Sequence, residues 1–565
     1  MVLLLSKMVY YDNLNLDPVS GVGIELTDAT EIIIDLGLTM RNNSLRIKLK
    51  NDPINVFSDG TLRHRWILAD GNPIFKAVKT TKGSVIDEEI IDVYARHELL
   101  DPTINVQNDN YHLFTGVINK GAVPFHDDSN AVELNCRDRS SIVLDKLTIP
   151  QSYKPNGTDA PDGIGWRSPF VIQNLARNAT EYDHNARKFD NNGNVSLNGM
   201  FLVDARLFSD GIVDSGTTTS ASTRKLIDSS QNFSGTVDKG DWVRNTTDDT
   251  YAYVMSVDSS TQLTLSKDLM ASGEGYQISD GFIQDKRNDG TSFPVISFSQ
   301  INKPVLEGFE ALSSTENTNS QIELDGTLIM KRSMQFFIDR KNRLHWYYPS
   351  DTPELIMKVG TTAAQSPDTS EHRIYGVDLE TSVEGNINFI IYKAGEDMNN
   401  VQIKNHVRAA FSGTPNTKDS LRDWSHITRQ MKLEDVYAGN ITHSKSDEFN
   451  YPSSYPVTPA WDSQARSVST DATYNTNFKE EANKRAKARA RAIFAKVANP
   501  RWKGALQIRG EDIRPGDLID FTSKAHGISD ILVRVQQVTH SITALTGWIS
   551  TVRVEEDESE IERIS

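Results

Sequence analysis

Cysteine is almost absent from this chain: there is one, Cys136, in 565 residues. A single thiol closes no disulfide, zinc site or redox pair within one chain, so none of these organises the fold. Cys136 stands among Val132, Leu134 and Ile142 and reads as a small buried apolar residue. Long apolar runs are missing as well. No stretch approaches the roughly 18 apolar residues that a membrane helix needs. Met1–Leu5 is apolar, but too short for the core of a secretory signal and without a basic residue before it, which predicts a chain made in the cytoplasm.

Catalytic signatures are missing too. The histidines are scattered, with no pair four residues apart on a helix and no Cys/His cluster. His126-Asp127-Asp128 comes nearest to a ligand set and reads as a polar turn. There is no Gly-x-Ser-x-Gly elbow, no phosphate-binding Gly-x-x-x-x-Gly-Lys-Ser/Thr and no strand-linked Gly-x-Gly-x-x-Gly; Asp162–Gly165 is a glycine-bearing loop. With 76 Asp and Glu, some carboxylates fall near one another by chance. No nucleophile, base or metal constellation assembles, so the expectation is no enzyme, no cofactor and no metal. Positive charge is in deficit. The 60 Lys and Arg leave a net charge of -16, which argues against general nucleic-acid binding.

What is present is polar and turn-rich. Hydrophobic residues make up 38%, and 34 glycines lie among many Asn, Asp, Ser and Thr between short apolar runs. That pattern predicts a mainly β chain with a few helices, a β-rich α+β fold. The length predicts about three or four domains. Composition shifts suggest an N-terminal β-domain over 1–150, a connecting helix and loop region over 151–210, and an inserted all-β module over 211–281. A second body region follows over 282–400, then a long extended loop over 401–475, then a C-terminal helix-plus-strand unit over 476–565.

Along the chain, 1–30 reads as a polar lead. Strands are expected at Glu31–Leu36, Ser44–Leu49, Glu89–Arg96, Tyr111–Ile118 and Ala131–Cys136. Leu45, Ile47 and Leu49 alternate with Arg46 and Lys48, the period-two signature of a half-buried strand. Pro169–Thr180 reads as a helix capped by Ser168, burying Ile172, Leu175 and Ala176. In the module, strands are expected at Lys225–Ile227, Asp241–Asn245, Tyr251–Val257, Gln262–Leu265 and Tyr276–Ile278. A helix is expected from Asn302-Lys303-Pro304 to Leu312. A hairpin pairs Ser333–Asp339 with Leu344–Tyr348, and further strands fall at Ile374–Leu379 and Ile387–Tyr392. Glu555–Glu560 reads as an acidic, solvated end.

The last ninety-odd residues hold the densest pattern. Phe478–Val497 reads as an alanine-striped basic helix, with Ala482, Ala486, Ala490, Ile493, Phe494 and Val497 on one face and Pro500 ending it. Its bases could contact DNA, but packing of the alanine stripe on a sheet is the simpler role. Strands are expected at Lys503–Arg509, Asp517–Phe521, Ile531–Val538 and Trp548–Val554, separated by turns such as Arg514-Pro515-Gly516-Asp517.

The ordered phrases Pro515-Gly516-Asp517, Val538-Thr539-His540-Ser541-Ile542 and Gly547-Trp548-Ile549-Ser550-Thr551-Val552 resemble the C-terminal region of the baseplate hub proteins of tailed bacteriophages. So do Ile91-Asp92-Val93-Tyr94-Ala95 and Leu113-Phe114-Thr115-Gly116-Val117-Ile118 nearer the start. Phe336-Phe337-Ile338-Asp339 followed by Leu344-His345-Trp346-Tyr347 is similar to the hairpin of that family, with Asn342 where Gly is usual. The resemblance covers roughly 30–150, 281–400 and 476–555. It implies tail-tube-like β-barrels and a homotrimeric ring in the virion baseplate. It also implies that the ring joins the tail tube protein to a central spike or tail-tip protein, touches other baseplate proteins, and lets viral DNA pass. No residue is catalytic under it. An alternative is a tail-tip protein that binds a host glycan through the module, with Trp242, Tyr251 or Tyr253 as stacking platforms; the same aromatics serve equally as core or cross-strand packing. A third class is a tail-associated cell-wall hydrolase.

Overall fold

A computed structural model describes residues 3–11, 24–26, 29–38, 43–50, 53–56, 62–64, 90–98, 112–118, 125–126, 131–138, 151–153, 160–162, 165–185, 204–293, 296, 298–300, 303–314, 333–339, 343–349, 353–359, 374–382, 389–394, 403–408, 430–436, 501–523, 526–543 and 545–557. Strands dominate them, with two α-helices among the described residues. The chain is β-rich. The helix expected at Phe478–Val497 and the turn at Asn342 lie outside the described residues.

The main sheet has fourteen strands. Its path runs Ile24–Glu25, Leu3–Tyr11, Ile90–Glu98, His112–Ile118, Ala131–Asp138, Ser44–Lys50, Ala29–Gly37, Ile528–Thr543, Gly547–Glu556, Arg501–Arg509 and Ile374–Ser382. Strands from either end of the sequence therefore share one sheet: Glu31–Gly37 pairs antiparallel with Gln537–Thr543. The alternation in Ser44–Lys50 is realised directly, with Leu45, Ile47 and Leu49 buried and Ser44, Arg46 and Lys48 pointing away from the core. These leucines and isoleucines join Ile34, Val93, Phe114, Val132 and Leu134 in one core, which Ile542 and Trp548 complete from the C-terminal strands. Cys136 lies in this core, where burial pushes its thiol pKa up. Gly116 faces it, and a side chain there would bring a Cβ 2.8 Å from the Cys136 Cβ. This close approach explains the glycine within the Phe114–Ile118 phrase.

Expectation and structure part at several places. The expected barrels are not closed: among the described residues the first and last strands of the path do not pair. The Ile528–Thr543 strand supplies a reason. Its first half pairs with Leu518–Ser523 and its second half, along the same edge, with Ala29–Gly37, so it runs out of one core into another. The supposed polar lead contains a nine-residue strand, Leu3–Tyr11, paired throughout with Ile90–Glu98. The stretch 401–475 contains two strands, Ile403–Arg408 and Gln430–Val436, flanking Phe389–Ala394 in a three-stranded sheet. The acidic end begins inside a strand, Gly547–Glu556, and the Asp557 side chain is buried against Arg534 at 2.9 Å.

Helix Ser168–Asn185 packs on helix Val305–Ser313 through Val171, Ile172, Leu175, Val305, Phe309 and Leu312. The Ser168 hydroxyl caps nothing. It is buried without a hydrogen bond among the described residues, and the first helical bond runs from Val171 N–H to the Arg167 carbonyl instead. Residues 212–279 form a seven-stranded sheet of their own, from Ile212–Thr217 to Gly275–Ser279. Its inner face is Leu226, Phe233, Val243, Val254, Leu263, Leu265 and Ile278.

Candidate functional site

The hairpin of Gln335–Ile338 and Leu344–Tyr347 is packed on both faces. Side chains alternate along a strand, so adjacent residues look opposite ways. Phe336, Leu344 and Trp346 face the two helices, and the Trp346 indole donates to the Ser313 hydroxyl at 2.9 Å. Phe337, His345 and Tyr347 face the other way, toward the 212–279 module.

The module meets them with its own second face. On Thr250–Ser259, Ala252 and Val254 enter the module core, so Tyr251, Tyr253 and Met255 point outward, beside Trp242. Trp242 packs on Tyr347 with ring centres 4.8 Å apart, and Phe208 and Phe282 close the cluster. Trp242, Tyr251 and Tyr253 are only 2%, 4% and 5% exposed. The three proposed stacking platforms are thus brought together, but against the protein's own body, and none presents an open ring face. Alternation puts Tyr251 and Tyr253 on one face of their strand, and Trp242 joins them through its pairing with Tyr253, so sequence alone could not separate a sugar platform from a docking face.

Within this aromatic seam lies a buried ionic knot. Arg343 donates from Nη1 to Asp241 at 2.7 Å, from Nε to Asp339 at 2.6 Å, and from Nη2 to the Lys239 carbonyl at 2.9 Å. Its guanidinium lies over the Phe282 ring at 4.2 Å. Gly240 makes the approach possible: its φ is +94°, and a Cβ there would stand 2.6 Å from Arg343 Nη2. Burial alone would raise the Asp339 carboxyl, but Arg343 and His345 together hold it well below the usual carboxylate range. Burial prevails at Asp241 and pushes it up to about 6 against the pull of Arg343.

His345 is the hinge between the two sets of groups. Its Nδ1 accepts from the Trp242 indole N–H at 2.8 Å, and its Nε2 lies 3.1 Å from Asp339 Oδ2. An indole nitrogen only donates, so Nδ1 is the acceptor and the ring proton sits on Nε2. Phe337 stacks on the imidazole at 4.3 Å and 6°. Burial lowers the His345 pKa to about 4.

The 512–517 turn closes the site. Lys239 Nζ donates to Asp512 at 3.2 Å, and Arg514 lies over Tyr253 at 4.6 Å and Phe337 at 5.4 Å. Asp517 accepts from the Arg514 N–H at 2.9 Å. Between these groups and the N-terminal sheet is a cavity of about 180 Å³. Leu36, His112, Phe114, Phe337, Asp339 and Arg514 are among its walls. Asp92, behind His112, accepts from Thr115 at 2.6 Å and Tyr94 at 3.2 Å.

No protein-family model and no curated protein matches the chain. Solved structures do. It is similar to a tail protein from Neisseria meningitidis, with 9% identity, 99% of each chain covered and a TM-score of 0.42. It is also similar to the 43 kDa tail protein of prophage MuSo2 from Shewanella oneidensis, at 8% identity over 99% of this chain and 100% of that one, with a TM-score of 0.40. A third is prophage tail protein gp18 from Listeria monocytogenes, at 9% identity over 99% and 97%, with a TM-score of 0.36. These three are tail proteins.

Asp241, Asp339, Arg343, His345 and Arg514 do not stand out in the sequence as a site. Asp339 and Arg343 flank the hairpin turn four residues apart, which is a local cue. Asp241 lies 102 residues upstream of its partner, and no periodicity links them. Among the described residues no group of three His, Cys, Asp or Glu is placed to hold a metal.

Proposed function

We propose that this chain is a structural tail protein acting as a baseplate hub, in which three copies form a ring between the tail tube and a central spike or tail tip. One observation carries the reading. Several of the stretches that resemble hub proteins are far apart in sequence, yet Phe114, Phe336–Asp339, His345, Tyr347 and Pro515, drawn from three of them, line a single cavity. Chance matches scattered along a chain have no reason to fold into one place. The ring would need heterologous contacts that close on themselves. The net charge of -16 would let DNA pass a central channel without adhering.

The test is placement. Gold-labelled chain mixed with tail tubes should sit at one end of each tube in electron micrographs. Label along the tube wall, or none on tubes, contradicts the reading.

A further inference from the structure

Trp242 belongs to the module and His345 to the hairpin, and the bond between them depends on the protonation of one nitrogen. Trp242 can only donate, so His345 must accept at Nδ1. His345 Nε2 already faces Asp339. A second proton can therefore go only onto Nδ1, where it would point a donor at a donor. The cavity gives that proton a route, since both His345 and Asp339 line it.

We propose that the Trp242–His345–Asp339 chain is an acid-sensitive fastening of the 212–279 module to the hairpin, made when His345 is neutral and broken when it gains a proton.

The surrounding charges come from every element packed at the seam. The module contributes Lys239, Asp241 and Tyr253, and the hairpin contributes Asp339, Arg343 and Tyr347. The turn brings Asp512, Arg514 and Asp517, and the N-terminal sheet His112 and Asp138. Asp339 favours the imidazolium, whereas burial, Arg343 and Arg514 oppose it. Burial depresses the His345 value to about 4, so its contribution to docking is complete above the ordinary histidine value. That contribution fades as pH falls toward 4. Asp241 responds in the opposite sense, because its folded value is raised to about 6 and its contribution grows as pH falls below that. The two effects offset each other in global stability. The readout must therefore be the Trp242 indole itself.

The test uses the full chain labelled with 5-fluorotryptophan, with fluorine resonances followed from pH 7.5 to pH 4. The Trp242 signal is assigned by Trp242→Phe. It should move with a midpoint below the ordinary histidine value, while the Trp346 signal, donated to Ser313, stays in place. In His345→Gln, whose amide accepts and donates without titrating, the Trp242 movement should shrink to what the titration of its neighbour Asp241 leaves. A Trp242 signal that stays flat in the native chain overturns the proposal. So does one that moves identically in His345→Gln. Should that variant not fold, Trp242→Phe still decides. Removing the donor should raise the pH at which the His345 ring carbon titrates, and an unchanged midpoint overturns the proposal.

Discussion

Arg343 is the residue on which the seam depends most. It holds two buried carboxylates, Asp241 from the module and Asp339 from its own hairpin, with a carbonyl as third acceptor. Removing one member of such a network leaves uncompensated charge in a dry site, at a cost of roughly 3–5 kcal/mol. Arg343→Met should lower unfolding stability by about that amount, read from the urea midpoint. Arg343→Lys should recover little of it, because an ammonium cannot reproduce the forked geometry toward two carboxylates. A loss within about 0.5 kcal/mol, the range of ordinary surface changes, would mean the knot is not what fastens the hairpin. Little of this was legible in the sequence. Asp339 and Arg343 are visible as a pair across a turn, but Asp241 is brought in by tertiary folding alone. Tyr251 and Tyr253 share a face by alternation, but the pairing that sets Trp242 beside Tyr253, and what covers that face, come from tertiary folding.

At the scale of elements, strands with clean alternation were readable almost to the residue. Lys225–Ile227 and Gln262–Leu265 coincide with observed strands, and Ser44–Leu49 falls one residue short of one. Strands that lack the pattern were not. Ile212–Thr217 is Ser- and Gly-bearing, and Leu3–Tyr11 finds its partner only some eighty residues on. The Leu355–Val359 strand pairs in parallel with Leu518–Ser523, a connection no local signal announces. The Ile528–Thr543 strand outruns its expected span because its second half is held by Ala29–Gly37. That junction gives a prediction. Gly510 packs flat on the Trp548 indole, and a Cβ there would fall 2.0 Å from the ring. Trp548 also donates to His540, which accepts as well from the Ser550 hydroxyl at 2.8 Å. Gly510→Ala should therefore displace Trp548 and cost about 1–3 kcal/mol by overpacking. Thermal unfolding with near-ultraviolet circular dichroism would register both changes, and an unchanged tryptophan signal would refute the packing account.

At the scale of the molecule, the chain is a sheet assembled from both sides of its insertion. The N-terminal strands, the hairpin and the C-terminal turn meet at one cavity, and the 212–279 module is fixed to that meeting point through aromatic rings and Arg343. A module seated through aromatic rings and Arg343 suits a part built into an assembly. The β-rich class was readable from composition and short apolar runs. The failure of the barrels to close was not, since it turns on one long strand serving two cores. The most direct test of the hub reading is the solution mass by light scattering, with negative-stain images of the same fraction, alone and with tail-tube rings added. The account predicts three chains of 63.1 kDa in a three-fold ring with a central hole. A single chain under both conditions, with no ring in the images, would contradict it.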